Sequence, residues 1–342
     1  MDNELSRRAV LGAGAGVLAT GALTAHASPA SAVASSPQGR PSGGPNVIPA
    51  DRIGLQIYTV RQLIGSDYKN LDIALEAVHD AGVRELELAG DYYTKTTAQL
   101  RSVIQSHGLR IVSNHFGPRG ANLPNPWLTH DGRMQIFEDA QTLGRFPHVG
   151  TGSMFGFPGA GSGGNTSESF KALAEVFNEC GEHAVSQGFG GFFFHNHDSE
   201  FALENGVPLY NTLLEYTDPR YVKFEVDLGW VTVAGEDPYW WIKKHGERFV
   251  AFHIKDVKWD PNGNRTAAAG TRAGGRKFRF VDVGKGDIDW TRTLSALKDL
   301  RHYRFFLEHD DAGDLTLNPP GPANTVWRGC STLDGINTSR RK

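Results

Sequence analysis

From Arg52 onward, short apolar runs alternate with segments whose apolar residues recur at helical spacing. Parallel strands are buried on both faces and read as short continuous apolar runs, and each crossover between them needs a connecting segment, usually a helix. The alternation therefore predicts βα units around one parallel sheet. Eight strands and eight helices can be placed in roughly 260 to 290 residues, about the length of one barrel. We predict an α/β fold, a single-domain (β/α)8 TIM barrel.

The predicted elements follow from this periodicity and from glycines that end helices, such as Gly82 and Gly108. The predicted strands span 53–58, 83–89, 109–114, 148–153, a fifth run from 192, then 221–226, 249–254 and 303–307. The predicted helices span 71–81, 97–107, 132–143, 167–186, 207–216, 238–245, 289–300 and 323–333. A glycine-rich segment, 156–165, lacks a helix-opening phosphate fingerprint and is interpreted as a mobile lid or rim. A Gly- and Arg-rich irregular excursion is predicted over 259–280.

The amino-terminal region is predicted to be an export signal rather than part of the fold. Arg7 and Arg8 precede a weakly apolar Gly/Ala-rich run that ends near Leu23, and small-residue cleavage motifs follow. The adjacent arginines resemble a twin-arginine signal, with an ordinary secretory signal as the alternative. The run is too short and too glycine-rich to span a membrane. We assign 1–32 to the signal, 33–50 to a disordered Pro/Gly/Ser-rich linker and 51–342 to the barrel, which predicts a secreted or cell-envelope protein.

Charge and cysteine content exclude two classes of protein. The formal net charge is −3 and the one basic block is at the carboxyl terminus, so no nucleic-acid partner is expected. Only Cys180 and Cys330 are present, so the fold cannot depend on a cystine framework. One disulfide between them stays open, although Cys180 lies on a predicted helix, where a small buried thiol is the expected role.

The fifth predicted strand leads into a polar run that concentrates ionisable side chains. Three aromatic residues, Phe192 to Phe194, precede two imidazoles, an amide and two carboxylates in the run His195-Asn196-His197-Asp198-Ser199-Glu200. Because side chains alternate along a strand, His195 and His197 are expected on one face. Two neutral imidazoles at a strand end suit a borderline divalent metal. A pair of surface histidines in a loop is the simpler alternative.

Alternation in the other strands separates an apolar face from a polar one. In the sixth strand the apolar positions face the helices, which leaves Lys223, Glu225 and Asp227 pointing into the barrel. Buried ionisable groups are costly unless they are paired or metal-bound, and barrel enzymes keep their sites at the carboxyl ends of the strands. The same test on all strands gives these candidates for the barrel mouth: Tyr58, Glu87, His115, His195, His197, Asp227, His253, Lys255 and Glu308.

Two interpretations of this set of side chains compete. Imidazoles together with Asp227 and Glu308 suit a divalent ion such as Mn²⁺, Zn²⁺, Mg²⁺, Co²⁺ or Fe²⁺, with waters or substrate in the remaining positions. The alternative is a set of ordinary ion pairs, Glu225 with Lys223 and Asp227 with Lys255. Those pairs give His253 no reason to face inward.

Seven motifs follow one another over nearly the whole mature chain: Gly54–Arg61, Glu85–Leu88, His195–Asp198, Glu225–Trp230, His253–Asp256, Gly284–Gly286 with Asp289-Trp290, and Leu307–Asp310. This ordered set resembles the sugar phosphate isomerase/epimerase family within the xylose isomerase-like barrels. The resemblance implies one divalent metal ion of unknown identity, held by His195, Asp227, His253 and Glu308. Whether the fifth strand supplies His195 or His197 as its ligand stays open.

One position departs from the pattern of the ketose epimerases in this superfamily. Those enzymes pair a glutamate on the fifth strand with the glutamate on the last strand, whereas this chain has His195 there and keeps only Glu308. A symmetric two-carboxylate proton shuttle is therefore not expected. The His-Asn-His run is similar to inosose dehydratase-like and keto-glycoside-processing members as much as to isomerases. Because the protein is predicted to be exported, a phosphorylated sugar is not expected as its substrate.

The expected function is that of an exported, metal-dependent carbohydrate isomerase, epimerase or lyase that removes a proton next to a sugar carbonyl. Glu308 or His197 is expected to take this proton, and Glu87 is a further acid–base candidate. Lys255 or His115 is expected to stabilise or protonate the developing oxyanion. The expected substrate-binding residues are Tyr58, His115, Trp230 and Trp259.

Other functions stay open beside this one. In a narrower reading, the protein is a keto-glycoside-processing lyase or hydratase. A non-catalytic exported sugar-binding protein would have little use for His253 and Glu308 together. A hydrolytic enzyme like the barrel endonucleases would need more metal ligands and a basic face for DNA. The expected partner is a small sugar or sugar derivative, and a homo-oligomer is neither required nor excluded.

Overall fold

The computed structural model describes residues 47–118, 123–144, 146–158, 165–260, 278–316 and 318–336. The predicted export signal, 1–32, and most of the predicted linker lie outside these ranges. Parts of the predicted lid, 156–165, and of the predicted excursion, 259–280, also lie outside them. Across the described ranges, no helix is both long enough and apolar enough to cross a membrane.

Eight parallel strands form one sheet in the order β3-β2-β1-β8-β7-β6-β5-β4. The strands are β1 Ile53–Gln56, β2 Glu85–Leu88, β3 Arg110–Asn114, β4 Val149–Thr151, β5 Phe192–His195, β6 Val222–Asp227, β7 Phe249–Ile254 and β8 Arg304–Leu307. A parallel bridge between His115 and Gly150 joins the two ends of this order. The predicted (β/α)8 barrel is confirmed.

Helices connect the strands and form the outer layer. In the described chain they are α1 Arg61–Ile64, α2 Leu71–Asp80, α3 Thr97–Ser106, α4 His130–Leu143, α5 Ser167–Ser186, α6 Tyr210–Tyr216, α7 Leu228–Val233, α8 Pro238–His245, α9 Trp290–Leu294 and α10 Pro322–Gly335. Local capping sets where the best-predicted helices begin. Thr166 and Ser169 form a reciprocal capping box at α5. The Asp237 side chain accepts the N–H of Tyr239 at the start of α8.

The strands bury their outward faces against the helices, as alternation predicts. Leu55, Phe224 and Phe252 are fully buried members of one large apolar core. A small apolar cluster of Val112, Ala251 and Phe306 fills part of the barrel interior. Because Ala251 and Phe306 each precede an inward polar residue by two positions, this cluster lies on the amino-terminal side of the polar interior. Polar side chains therefore collect toward the carboxyl ends of the strands.

Besides the short helices α1 and α7, which were not predicted, local structure departs from the prediction in three further segments. The helix predicted at 207–216 begins at Tyr210, because Val207–Pro208 pairs with Leu203–Glu204 in a small hairpin. The helix predicted at 289–300 ends at Leu294, and a 3-10 turn follows at Leu300–His302. The excursion predicted as irregular is bounded by an antiparallel ribbon of Asp256–Trp259 with Phe278–Val281.

The two cysteines do not form a disulfide. Cys180 lies on α5 and Cys330 on α10, and both are buried thiols. The pairing that the sequence left open is therefore absent, and Cys180 has the buried role predicted for it.

The amino-terminal boundary of the barrel needs a correction. Ile48 lies in the range assigned to the linker, 33–50, yet it is 2% exposed and belongs to the main apolar core. A 3-10 turn, Ala50–Arg52, connects it to β1. The folded domain therefore includes residue 48, and a boundary at 50/51 would remove a core side chain.

Replacing Ile48 with alanine is expected to lower the free energy of unfolding by about 2 kcal/mol, the low end of the range for buried Ile→Ala substitutions. Urea denaturation measures this change. Ile73→Ala is the matched control, because Ile73 is 56% exposed on α2 and its loss should cost no more than about 0.5 kcal/mol. Equal effects of the two substitutions would show that residue 48 does not pack on the barrel.

Candidate active site

The polar strand ends meet at a cavity of about 230 Å³. This is the end of the barrel at which barrel enzymes keep their sites. The predicted site residues on the cavity wall are Tyr58, His115, His195, His197, Trp230, Lys255 and Glu308. Glu87, Asp227 and His253, which are also predicted site residues, are completely buried.

Asp227 is the last residue of β6 and the N-cap of α7. Its Oδ1 accepts a 2.8 Å hydrogen bond from the backbone N–H of Trp230. The Asn196 amide holds the Asp227 backbone: Oδ1 accepts its N–H at 3.1 Å, and Nδ2 donates to its carbonyl oxygen at 3.4 Å. The cap therefore fixes one carboxylate oxygen, and the other, Oδ2, lies 2.9 Å from the ammonium of Lys255.

Lys255 is the buried cation of this end of the barrel. Its Nζ lies 2.9 Å from Asp227 Oδ2, 2.8 Å from Glu308 Oε2 and 3.1 Å from Asp310 Oδ1. The ammonium also lies 5.3 Å from the ring centre of Trp230, and the side chain is only 2% exposed. The ion pair between Asp227 and Lys255, which the sequence left as an alternative, is therefore formed together with two further carboxylates.

His253 projects from β7 into the barrel between two carboxylates. Its Nδ1 lies 2.6 Å from Glu308 Oε2, and its Nε2 lies 2.6 Å from Glu87 Oε1. Glu87 Oε1 also accepts a 2.9 Å hydrogen bond from Gln56 Nε2. Both nitrogens of a completely buried ring thus face a carboxylate oxygen, and the ring connects the top of the polar interior to its lower part.

Glu225 is the centre of a second set of contacts, deeper in the barrel. Its Oε2 lies 2.6 Å from His115 Nε2, 3.3 Å from His253 Nε2 and 3.5 Å from His195 Nδ1. Strand register explains why His195 lies next to Glu225. In the pairing of β5 with β6, residue 195 is opposite Glu225, whereas Asp227 is opposite His253 in the pairing of β6 with β7. His195 therefore lies one inward position below Asp227.

Two groups of candidate metal ligands result. We call Asp227, His253 and Glu308 the upper group, and His115, His195, Glu225 and His253 the deep group. Within each group the donor atoms all lie within 4.8 Å of one another. The four ligands implied by the family resemblance do not form one group. Three of them make up the upper group, and His195 belongs to the deep group, with His253 shared.

The two central imidazoles differ in charge. Burial favours the neutral form of both rings, but nearby carboxylates, led by Glu225 and Glu308, hold the pKa of His253 well above its ordinary value. Burial and the neighbouring His253 hold the pKa of His195 well below its ordinary value. In the metal-free protein at neutral pH His253 therefore carries a proton, which a bound metal would have to displace, whereas His195 is already the neutral ring that a metal requires.

The pKa values of the two carboxylates are also shifted in opposite directions. Glu308 is buried, yet Lys255 and His253 hold its pKa well below the ordinary value, so it is ionised. Burial raises the pKa of Asp227 to about 6, with Lys255 opposing the shift. Burial alone would lower the pKa of Lys255, but Asp227 and the other carboxylates raise it instead, so the ammonium is retained.

The predicted substrate-binding aromatics occupy different environments. Tyr58 is 43% exposed, and the Arg61 guanidinium lies 3.8 Å from the centre of its ring. Trp230 is 2% exposed and lies 5.5 Å from the ring of His197 on the cavity wall. Trp259 is not among the described residues of that wall. It is buried in an apolar cluster that side chains of the ribbon form with Trp230 and Val233 of α7, and its stacking on a substrate stays a prediction.

Three features of the site were missed or misassigned by sequence reasoning. The pairing of Glu225 with Lys223 is wrong, since all ion pairs of Glu225 in the described chain are with imidazoles. Asp310 lines the cavity and binds Lys255, and the alternation that places Glu308 inward also marks it. At position 152, glycine is required because a Cβ would lie 2.2 Å from His115 Nδ1. No sequence signal identifies that last contact.

Residues 75–328 match the family model described as xylose isomerase-like TIM barrel. The chain belongs to this family. The match covers the candidate site from Glu87 to Glu308, and the predicted family membership is confirmed.

Comparison with individual proteins gives a similar picture at low identity. Inosose dehydratases from Clostridium perfringens and Bacillus velezensis are 26% and 28% identical to the chain, over 153 and 171 residues. These alignments cover 44% and 47% of this chain and 50% and 51% of the relatives, so the chain spans about half the length of the curated relatives it matches. The similarity to these relatives therefore concerns a part of each protein.

Solved structures resemble the whole barrel. A sugar phosphate isomerase/epimerase from Parabacteroides distasonis superposes with a TM-score of 0.61 at 22% identity, covering 82% of this chain and 96% of that one. The 3-keto-D-glucoside 4-epimerase from E. coli gives 0.54 at 12% identity, covering 83% and 99%. At these identities the likeness concerns the fold.

Proposed function

We propose that this chain is an enzyme that uses a divalent ion to remove a proton from the carbon next to the carbonyl of a sugar or sugar derivative. The observation that carries the proposal is the set of buried carboxylates and imidazoles that opens, through Glu308, Lys255 and His195, onto the cavity at the barrel mouth. Perturbed ionisable groups in a cleft are typical of acid–base sites. Export stays a prediction from the sequence.

The upper group has the donor chemistry for such an ion. Carboxylates and an imidazole bind Mn²⁺, Fe²⁺, Co²⁺ and Zn²⁺. Asp227 Oδ2 and His195 Nδ1 are buried and make no hydrogen bond of good geometry in the described chain, although Lys255 lies close to the former. Asp227, His253 and Glu308 would hold the ion, and His195 lies in the neighbouring deep group. A bound ion would polarise a carbonyl and an adjacent hydroxyl and so acidify the neighbouring C–H.

Glu308 is the first candidate for the base that takes this proton. It lies on the cavity wall, is ionised, and is held in place by His253 and Lys255 through Oε2. His197 is the second candidate, since its ring also lines the cavity, 5.2 Å from the ring of His195. The backbone N–H of His197 donates a 2.7 Å hydrogen bond to Glu200 Oε2, which fixes the loop that carries it.

Lys255 is suited to stabilise the negative charge that develops on the substrate oxygen. Its ammonium is protonated, buried and on the cavity wall, so it would donate a hydrogen bond to an oxyanion without reorganisation. The role predicted for Glu87 changes. It is completely buried and contacts His253, so we assign it the positioning of that ring rather than direct contact with substrate.

A dehydratase or keto-glycoside lyase begins with the same step. After proton removal, a hydroxyl or glycosidic oxygen leaves from the next carbon, and Lys255 or His115 on the cavity wall would protonate it. The inosose dehydratases among the relatives favour this second outcome, whereas the fold is shared with isomerases and epimerases. A non-catalytic sugar-binding protein would not need so many buried charges, which are costly without a function.

Incubation of the metal-loaded protein with keto-sugars in D₂O is expected to place deuterium on the carbon next to the carbonyl, because every reaction proposed here breaks that C–H bond. Mass spectrometry and NMR locate the label. Loss of water, or of an alcohol, from the product distinguishes a lyase from an isomerase. Chelation of the metal is expected to slow the exchange.

A shielded base can return the original proton, so a second measurement is needed. Substrate deuterated at that carbon should then react with a primary isotope effect. Turnover of an authentic substrate with neither deuterium uptake nor an isotope effect would rule out proton abstraction and would favour hydrolysis or binding alone.

A further inference from the structure

We propose that the deep group, His115, His195, Glu225 and His253, is a second cation site that takes a transition-metal ion such as Zn²⁺ or Co²⁺. It is separate from the upper group, although the two share His253. This inference depends on the geometry of the barrel interior and not on the reaction proposed above.

The first argument concerns charge. In the described chain, every ion-pair contact of Glu225, and of Glu87 next to it, is with an imidazole. The upper group, by contrast, already contains the ammonium of Lys255. Buried carboxylates need a compensating positive charge. In the deep group this charge comes either from protons on the rings or from a metal ion that the rings and Glu225 bind together.

The second argument concerns distances. With zinc–ligand bonds of about 2.0–2.1 Å, neighbouring donors of a tetrahedral site lie about 3.3–3.4 Å apart. Glu225 Oε2 is 3.3 Å from His253 Nε2 and 3.5 Å from His195 Nδ1, which are close to that spacing. The 2.6 Å contact with His115 Nε2 is of hydrogen-bond length. Of these three contacts, only the one with His115 has to lengthen, by several tenths of an ångström.

The third argument concerns a buried ring nitrogen that makes no hydrogen bond. His195 is 3% exposed, and its Nδ1 makes no hydrogen bond in the described chain although it faces Glu225. The Oε2 atom of Glu87 is likewise buried without a hydrogen bond. Buried polar atoms normally make a hydrogen bond, so a buried nitrogen that lacks one and faces other potential metal ligands needs an explanation. A cation held between these donors supplies it for His195.

The donor set indicates the kind of ion, and the cavity supplies its route. Three imidazoles and one carboxylate favour Zn²⁺ or Co²⁺ over Mg²⁺ or Ca²⁺, which prefer oxygen ligands. His115 and His195 both line the mouth cavity, and the His115 side chain is 14% exposed, so an ion can enter from there. The Nε2 atom of His253 faces the deep group and its Nδ1 faces Glu308.

The test uses the full chain, stripped with a chelator and then titrated with Co²⁺. The wild type is expected to bind two ions per chain by elemental analysis, and one of them should give the intense visible absorption of four-coordinate Co²⁺. His115→Gln is expected to lose that absorption and at least about tenfold in affinity at one site, since each ligand contributes at least as much as an outer-shell partner. Asp227→Asn should keep the absorption. His302→Gln, at a side chain 77% exposed, is the matched control and should change neither.

The outcomes separate this inference from the proposed function. A single ion that is lost in Asp227→Asn and retained in His115→Gln overturns the deep site. A single ion that is lost in His115→Gln alone supports the deep site and removes the upper group as the metal site of the proposed reaction. If His115→Gln does not fold, X-ray absorption of the wild type with one equivalent of Zn²⁺ decides. Three imidazole ligands support the deep site, and fewer overturn it.

Discussion

Glu308→Gln is expected to lower turnover by about 10²–10⁴-fold, the usual cost of removing one acid–base group. Glutamine keeps the size of the side chain but cannot accept the substrate proton. In the wild type, His253 and Lys255 both contact Glu308 Oε2. The substitution therefore also removes one of the carboxylates that balance their charges. The rate of deuterium uptake and of product formation, measured with a keto-sugar that the wild type turns over, checks the prediction.

Glu138→Gln is the matched control, because Glu138 is exposed on α4 and the same substitution there should leave turnover unchanged within about twofold. A Glu308→Gln enzyme with normal turnover and normal metal content would remove Glu308 as the base. His197, on the same wall, would then take that place, and His197→Gln should show the large loss instead.

The barrel could be predicted because the alternation of apolar strands and amphipathic helices repeats along the chain. Strand β7 and helices α5 and α8 were predicted at their observed residues, since an apolar run or a clear cap marks both ends. Helices α1 and α7 are too short, at four and six residues, for a 3.6-residue period to be recognised. The hairpin and the ribbon depend on pairing between separate segments, which composition alone does not show.

The sequence predicted which side chains point into the barrel, but not which of them contact one another. Alternation along each strand placed the ionisable side chains inside the barrel. Which of them meet depends on register between neighbouring strands, and this is set by the packing of whole strands. The pairing that puts residue 195 opposite Glu225 moved His195 away from the upper group. It also gave Glu225 imidazole partners in place of the predicted Lys223.

Lys255→Met is expected to lower the free energy of unfolding of the metal-free protein by about 3–5 kcal/mol, because it leaves buried carboxylates without their cation. Asp227, Glu308 and Asp310 all lie within 3.1 Å of its ammonium. In a chain of this size the melting temperature should fall by roughly 5–15 °C. Without the ammonium, the pKa values of all three carboxylates rise: those of Asp227 and Asp310, already raised by burial, rise further, and that of Glu308 loses a cation that holds it down. The loss of stability should therefore be greater at pH 8 than at pH 5.

A divalent ion should compensate for part of this loss, because it would supply the missing positive charge to the same oxygens. At a Mn²⁺ concentration of about 100 times the dissociation constant, binding stabilises the folded state by about 2.7 kcal/mol. The gap between Lys255→Met and the wild type should therefore narrow on adding Mn²⁺, and the variant should bind the ion more tightly. Lys258→Met is the control: its ammonium pairs with Asp287 and is 43% exposed, so its loss should cost under about 1 kcal/mol with or without metal. A Lys255→Met protein as stable as the wild type, or one that Mn²⁺ does not stabilise, would show that ammonium and metal do not share these carboxylates.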